Sequence, residues 1–315
     1  MIRTIDFGNE NGINILIISG VHGDEVGAIK TSYNLYQEFQ IIKASNDLPS
    51  RILNFGKISF IHVANRDGVR NRCRDMVYDG NLNNMFSTSA DPKREIIEAI
   101  DDAQFVIDLH CSPYVASGFI FDTDYKSYLF KNFLENNFFY DLSTIRLSYG
   151  VRHTEACTIK SYVNSLKGKI GFTWEQNGMD QHSLTDNVDM LVEIIYSFEK
   201  FNEYLQNELN MGLNDIVSCH LPHYMPELST MFTTPVEGIL SYYQPLGAIV
   251  SKNSLIAGIR DLNTNQLIYT IKAPFDCKFI SGNCNLYVHD AEFIAMIQPY
   301  KKTIDIKLKS TPLLK

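Results

Sequence analysis

The segment Gly20–Glu25, with the sequence GVHGDE, places an imidazole and a carboxylate three residues apart, directly after a run of β-branched residues. His22 and Glu25 have the His-x-x-Glu spacing of zinc ligands, and ligand sites of open α/β sheets lie where strands end. Taken alone, the spacing favours a plainer interpretation, which is a polar loop histidine and a carboxylate stabilised in the first turn of a helix. A metal site therefore requires a further ligand from elsewhere in the chain.

A third ligand is available in the segment Asp108-Leu109-His110, at the end of another apolar run. Because side chains alternate along a strand, we expect Asp108 and His110 on one face and Cys111 on the other. Two histidines and one glutamate, with a fourth position left for water, make the open ligand set of a catalytic zinc. Asp108 is a candidate to accept the free ring N–H of a ligand histidine; its plainer role is that of a solvated acid at a strand end.

Donor groups are concentrated in the loop that begins at Asn65. Four arginines lie within the nine residues that follow it, namely Arg66, Arg70, Arg72 and Arg74. Guanidinium groups can hold a substrate carboxylate or neutralise a developing oxyanion. Composition alone leaves this interpretation and that of a basic surface patch equally open.

A carboxylate ends another apolar run, Ile170–Trp174, which is followed by Glu175 and then by a turn that contains glycine. A general base must lie within hydrogen-bond reach of the water that it activates, and a rigid strand end can hold it there. Glu175 is thus a candidate base, and its plainer role is that of a surface acid.

Strands and helices must position these groups. Short and nearly continuous apolar runs predict strands buried on both faces, over Ile13–Ser19, Ile58–Ala64, Phe105–His110 and Ile170–Trp174. Helical spacing predicts a helix over Val26–Phe39 and a long one from about Thr185, with Thr185 or Asp186 as its N-cap. Buried strands alternating with helices predict an α/β fold, a mixed central sheet flanked by helices with the site at strand ends.

The pattern changes after about Asn210. The region Val236–Ile297 consists of short strand-like runs broken by glycine and proline, and two further prolines, Pro222 and Pro226, precede it. We therefore predict a catalytic domain over residues 1–210 and a smaller all-β domain over residues 225–315.

Composition excludes several classes of protein. Apolar residues make up 45% of the 315 residues, which suits a folded globular chain, and the net charge of −8 argues against binding to nucleic acid or anionic lipid. The longest strongly apolar stretch, Ile13–Ile18, is too short to cross a membrane. Six cysteines without a CxxC pair indicate neither a zinc knuckle nor a disulfide framework, and the N-terminus lacks the order of a secretory signal. We expect a cytoplasmic protein.

Taken in this order, the segments resemble the succinylglutamate desuccinylase/aspartoacylase family, a branch of the zinc carboxypeptidase-like hydrolases. The shared landmarks are Gly-x-His-Gly-x-Glu after a strand, a loop rich in asparagine and arginine, Asp-Leu-His, and a strand that ends in glutamate. Many members also end in a small β domain, whose turns resemble Pro245-Leu246-Gly247 and the segment Ala273–Cys277. The resemblance covers nearly the whole chain.

The resemblance implies a role for each matching residue. It implies one Zn²⁺ per chain, held by His22, Glu25 and His110, with Asp108 behind the ligands and Glu175 activating the water. Arg74 matches the arginine that polarises the scissile carbonyl, and Arg72 and Arg70 are nearby alternatives. The implied substrate-binding residues are Asn65, Asn83, Asn84, Arg72 and Arg70.

Two positions depart from the family pattern. Asn84 stands where an arginine would hold the substrate carboxylate, so that either another arginine (Arg66, Arg70, Arg72 or Arg152) takes over or the substrate lacks that carboxylate. Cys277 stands in a turn where glycine is usual.

The resemblance implies a zinc-dependent amidohydrolase that cleaves the acyl amide bond of a small N-acyl amino acid or related amide. The alternatives are a carboxypeptidase acting on a short peptide and a zinc-binding protein that has lost turnover. The expected partner is a small molecule, with no nucleic acid and no membrane, and a homo-oligomer is left open. The resemblance also implies that the β domain caps the pocket and limits the substrate to small molecules.

Overall fold

The structure is a computed structural model, and it describes residues 2–45, 54–76, 82–84, 94–112, 119–121, 125–138, 143–145, 158–177, 181–216, 230–282 and 287–299. The chain forms two compact units, Met1–Leu228 and Ser229–Lys315. Within the described ranges, no helix combines the length and the apolar character needed to cross a bilayer.

A seven-stranded sheet lies at the centre of the first unit. Its described strands are β1 (Arg3–Asp6), β2 (Ile13–Ser19), β3 (Phe55–Ile61), β4 (Phe105–Ser112), β5 (Phe119–Phe121), β6 (Ser143–Ile145) and β7 (Ile170–Asn177). They lie in the order β1-β3-β2-β4-β7-β5-β6. The four central strands are parallel, whereas β1 is antiparallel to β3 and β5 is antiparallel to β7. The sheet is mixed, as predicted.

Helices cover both faces of this sheet. They are α1 (Val26–Ala44), α2 (Arg66–Asn71), α3 (Arg94–Asp101), α4 (Tyr125–Phe138), α5 (Ile159–Ser165) and α6 (Gln181–Asn207). Because side chains alternate along β2, Ile15 and Ile17 pack into one apolar layer with residues of α1, α4 and α6, and Leu16 and Ile18 pack into the other with residues of α3 and α5. This two-sided burial explains the uninterrupted apolar runs of the central strands.

Several element boundaries differ from the prediction: α1 continues to Ala44, β3 begins at Phe55, and β4 and β7 extend to Ser112 and Asn177. The helix expected from Thr185 begins at Gln181 as α6, so Thr185 and Asp186 lie inside it. Strand β3 ends at Ile61 rather than at Ala64. Beyond Ile61, Ala64 N still donates to Ser19 O at the end of β2 (3.0 Å), and α2 begins at Arg66.

The second unit is all-β, as predicted. Its described strands are β8 (Thr230–Thr233), β9 (Gly238–Tyr242), β10 (Ile249–Val250), β11 (Leu255–Arg260), β12 (Leu267–Lys272), β13 (Cys277–Gly282), β14 (Tyr287–Val288) and β15 (Phe293–Pro299). They form two four-stranded antiparallel sheets, β10-β13-β15-β8 and β12-β11-β9-β14. Its core is built from aliphatic side chains, for example Leu240, Ile256 and Ile294, together with Phe279 and the buried Cys277.

Candidate metal centre

The loop between β2 and α1 depends on two glycines at the carboxyl edge of the sheet. Gly20 has a φ of 62°, a left-handed conformation that glycine adopts without strain. A Cβ on Gly23 would lie 2.0 Å from the carbonyl carbon of Gly68, so only glycine lets this loop pack against the backbone of α2. The two glycines thereby fix the path of the chain on either side of His22.

His22, Glu25 and His110 converge in a buried cluster. His22 Nδ1 lies 2.6 Å from Glu25 Oε1, and His110 Nδ1 lies 2.9 Å from Glu25 Oε2. The two Nδ1 atoms are 3.0 Å apart. Each residue offers one ligand atom, and these atoms all lie within 4.8 Å of one another. The structure thus brings together the three residues proposed as ligands, from the β2–α1 loop and from β4.

This donor set fits a divalent transition metal. Two imidazoles and one carboxylate are the ligand types that zinc prefers, and they leave a coordination position open. The converging atoms are electron-pair donors, and a single proton cannot satisfy three of them, whereas a cation can. His22 Nε2 is also buried without a hydrogen-bond partner in the described part of the chain.

Charges within the cluster shift the pKa values of Glu25 and His110 in opposite directions. Burial raises the pKa of Glu25, but the charges and hydrogen bonds of His110 and His22 outweigh that effect and hold this pKa well below its usual range. Burial lowers the pKa of His110, but attraction to Asp108 and Glu25 prevails and raises it well above its usual range. Glu25 is therefore held as a carboxylate, the form that binds a metal.

Asp108 lies behind the cluster on the same face of β4 as His110, as the alternation predicts. Asp108 Oδ2 is 3.0 Å from His110 Nε2, and Asp108 is 1% exposed. Among the described residues, neither carboxylate oxygen has a partner in hydrogen-bond geometry. The contact therefore pairs an unsatisfied carboxylate with the ring nitrogen that points away from the cluster, which suits Nδ1 of His110 for metal binding.

Glu175 lies beside the cluster. In the parallel pairing of β4 with β7, it is the register partner of His110. Burial raises the pKa of Glu175 to about 8, against the opposing effect of His110 and with a further increase from Glu25. A carboxyl group with a pKa near neutrality can both accept and return a proton.

Of the three arginines proposed for the site, Arg74 reaches the cluster. Arg74 Nη1 lies 3.0 Å from Glu25 Oε1, and the side chain remains 53% exposed. Arg70 is exposed and faces Asp67 at 3.6 Å. Arg72 ends α2 in a left-handed conformation, with a φ of 54°, and is also exposed.

The asparagines differ in their surroundings. Asn83 Nδ2 lies 3.4 Å from His110 Nε2, and Asn83 Oδ1 accepts a hydrogen bond from Ile159 N (3.0 Å). Asn65 is buried and contacts the backbone of its own loop instead. The side chain of Asn84 and the whole of Arg152 lie outside the described residues.

One contact at the cluster could not be derived from side-chain types. The backbone N–H of Cys111 donates to Glu25 Oε2 at 3.2 Å. Its only signal in the sequence is its position directly after His110. The Cys111 side chain is buried in the apolar layer on the opposite side of the sheet, as expected from the alternation, and burial raises the pKa of its thiol to about 12.

No family model matches the chain, and no curated protein matches its sequence. Solved structures do match. A succinylglutamate desuccinylase from Silicibacter sp. TM1040 has a TM-score of 0.66 at 17% identity, over 95% of this chain and 88% of that chain. An aspartoacylase family protein from Mesorhizobium loti has a TM-score of 0.64 at 16% identity, over 96% and 89%. The product-bound ectoine utilization protein EutE (DoeB) from Ruegeria pomeroyi has a TM-score of 0.63 at 17% identity, over 95% and 88%.

The chain consists of an α/β unit that contains the His/Glu/His cluster, followed by an all-β unit. This is the fold of solved succinylglutamate desuccinylase/aspartoacylase family proteins, matched over nearly the whole length of the chain. The fold that the sequence motifs predict is thereby confirmed.

Proposed function

We propose that this protein is a zinc-dependent amidohydrolase of the succinylglutamate desuccinylase/aspartoacylase family, which cleaves the acyl amide bond of a small N-acyl amino acid or related amide. The observation that carries the proposal is the buried convergence of His22, Glu25 and His110, with Arg74 3.0 Å from Glu25 and Glu175 in register with His110. The fold of the chain supports the same assignment.

The metal would be held by His22, Glu25 and His110, with Asp108 orienting His110. A bound zinc ion supplies Lewis acidity, lowering the pKa of a water molecule and polarising the amide carbonyl. Zinc is proposed on the donor set and on the open fourth position.

The protein's own residues then carry the proton and the charge. Glu175 accepts a proton from the attacking water and returns it to the departing amine, which its raised pKa of about 8 favours. The Arg74 guanidinium donates hydrogen bonds to the oxyanion that develops on the carbonyl oxygen. The products are a carboxylate and an amine, so that one water molecule is consumed for each amide bond broken.

Substrate contacts are proposed for Asn83, Asn84, Arg72 and Arg70, whereas Asn65, the remaining candidate, is buried with both polar ends bonded to the backbone of its own loop. Asn83 contacts a proposed metal ligand, since its amide lies 3.4 Å from His110 Nε2. With Asn84 in place of an arginine, either another arginine (Arg66, Arg70, Arg72 or Arg152) holds the substrate carboxylate, or the substrate lacks that carboxylate and an amide donor suffices. A small-molecule substrate belongs to the same proposal, since a solved structure with this fold is product-bound. A cytoplasmic location is proposed with it.

The first experiment measures zinc content and amine release on the same samples. Wild type is compared with His22→Ala and with His289→Ala, an exposed histidine of the second unit. We expect near-stoichiometric zinc in wild type and in His289→Ala, loss of zinc in His22→Ala, and release of amine from at least one N-acyl amino acid of a panel.

Two alternatives predict other results. Release of a C-terminal amino acid from short peptides, without cleavage of N-acyl amino acids, would establish a carboxypeptidase. Zinc binding without turnover on either panel would support a binding protein that has lost catalysis, for which Asn84 is the best sequence indication. A folded wild type that takes up no zinc when it is supplied would overturn the proposal.

A further inference from the structure

Asn65 joins two segments that carry functional groups. It is 2% exposed, and its side chain uses both of its polar ends within the protein. Asn65 Oδ1 accepts from the backbone N–H of Gly68 (2.8 Å), which caps α2, and Asn65 Nδ2 donates to the carbonyl oxygen of Arg74 (3.3 Å). The backbone N–H of Asn65 donates to Gly20 O (2.7 Å), at the start of the loop that carries His22 and Glu25.

The carbonyl oxygen of Arg74 accepts a second hydrogen bond. Gly23 N donates to it at 3.1 Å, and Gly23 lies between His22 and Glu25. The backbone of Arg74 is thus fixed by one donor from the loop of the proposed metal ligands and by the amide of Asn65. The Arg74 guanidinium in turn contacts Glu25 Oε1 at 3.0 Å. The loop that carries His22 and Glu25 and the loop that carries Asn65 and Arg74 are thus joined by both backbone and side-chain contacts.

We infer that Asn65 is a positioning residue, which sets the guanidinium of Arg74 against the His22–Glu25–His110 cluster and acts on the reaction through Arg74. This rests on the proposed function, in which Arg74 stabilises the oxyanion. The Arg74 side chain is long and 53% exposed, so its reach is set by where its backbone lies. A misplacement of about 1 Å can cost as much as a hundredfold in rate at a catalytic site.

The same geometry argues against Asn65 as a direct contact for the substrate. Asn65 is 2% exposed, and each polar end of its side chain already bonds to backbone, the oxygen to the cap of α2 and the amide to the Arg74 carbonyl, so little of it is accessible to a substrate. If Asn65 rotated towards a substrate, α2 would lose its N-cap, and the loop that presents Arg74 would be loosened.

The test separates the two ends of the asparagine side chain. Asn65→Asp and Asn65→Ser both keep an oxygen that can cap α2, since aspartate and serine are good N-caps, but neither can donate to Arg74 O. The matched control is Asn71→Asp, on the same helix, because Asn71 Nδ2 also donates to a backbone carbonyl, that of Asp67 (2.8 Å), and does not hold Arg74. Each change is made in the zinc-supplied full chain, in the wild-type and in the Arg74→Ala background.

For both Asn65 variants we expect kcat to fall by about tenfold or more with KM and zinc content little changed, while Asn71→Asp stays near wild type. In the Arg74→Ala background, the same Asn65 changes should lower kcat by less than about twofold, since the group through which they act is gone. Equal losses in both backgrounds, or a rise in KM with unchanged kcat, would overturn the inference.

A second measurement does not require turnover. Hydrogen–deuterium exchange of the peptide that contains Gly23 should be faster in Asn65→Asp and Asn65→Ser than in wild type and Asn71→Asp, because the Gly23 N–H bonds to the carbonyl that Asn65 holds. Unchanged exchange would show that Asn65 does not fix Arg74. If wild type hydrolyses no amide of the panels, the proposed function fails, and the exchange comparison still decides whether Asn65 links the two loops.

Discussion

Arg74 Nη1 lies 3.0 Å from Glu25 Oε1, so that a half-exposed guanidinium contacts a buried carboxylate 49 residues earlier in the chain. The two side chains differ in their exposure to solvent. Glu25 is buried between two histidines, whereas the Arg74 side chain is 53% exposed. This arrangement suits a group that must reach a charge which forms only during the reaction.

Replacing Arg74 with alanine should therefore impair turnover more than zinc binding. Removing one donor to an oxyanion costs about a hundredfold to a thousandfold in kcat, and we expect Arg74→Ala to fall in that range. Steady-state kinetics and zinc analysis of the same preparation measure both effects. Arg94→Ala serves as the control, because Arg94 is exposed and pairs with Glu98 on α3. Unchanged turnover in Arg74→Ala would reassign the role to Arg70 or Arg72.

Glu175→Gln should abolish most of the activity while leaving the metal in place. The amide is nearly isosteric with the carboxylate but cannot take a proton from water, and general bases contribute about a hundredfold to ten-thousandfold. Glu98→Gln is the control, since Glu98 is an exposed partner of Arg94 on α3. Full activity of Glu175→Gln with bound zinc would remove Glu175 as the base.

Much of this site is already present in the sequence. The spacing of His22 and Glu25, and the alternation that puts Asp108 and His110 on one face of β4, depend only on local geometry, and the structure agrees with both. The uninterrupted apolar runs of the central strands likewise reflect burial on two faces, and this pattern is visible in the sequence.

Other features of the site depend on backbone contacts between residues far apart in the sequence, and the residue types do not predict these contacts. The adjacency of β4 and β7 brings Glu175 into register with His110, and no local pattern specifies which strands pair. The bonds from Gly23 N to Arg74 O and from Cys111 N to Glu25 are main-chain contacts, so their side chains carry no signal. The capping role of Asn65 could not be predicted either, because an asparagine suits a substrate contact and a helix cap equally well.

Asp108→Asn should weaken zinc binding and leave the fold intact. The carboxylate faces His110 Nε2 at 3.0 Å, and removing such a partner typically lowers metal affinity by about tenfold to a hundredfold. Competition with a chromophoric chelator measures the affinity directly. Asp102→Asn is a matched control, since Asp102 is exposed and pairs with Lys57 at the surface. Equal zinc affinity in both variants would show that Asp108 does not support the ligand.

The stability of the protein should fall in acid because of His62, a histidine outside the cluster. His62 is stacked on Tyr33, with 3.9 Å between ring centroids, and its Nδ1 lies 2.8 Å from Ser32 Oγ. Burial, with a further effect from Arg3, lowers the pKa of His62 to about 4. The native state thus keeps His62 neutral at a pH where the unfolded chain, with a pKa near 6.5, already binds a proton.

Because the pKa of His62 is lower in the native state than in the unfolded chain, the free energy of unfolding decreases as the pH falls. The contribution of neutral His62 is fully present above about pH 6.5, and it is lost progressively as the pH falls towards 4, where we expect a loss of about 1–2 kcal/mol after allowance for solvent screening. His62→Phe cannot titrate and keeps an aromatic ring beside Tyr33, so its free energy of unfolding should depend less on pH between 7 and 4 than that of wild type. His289→Phe, at an exposed site, should retain the wild-type dependence. Denaturant unfolding at several pH values measures all three proteins, and parallel curves for wild type and His62→Phe would contradict the prediction.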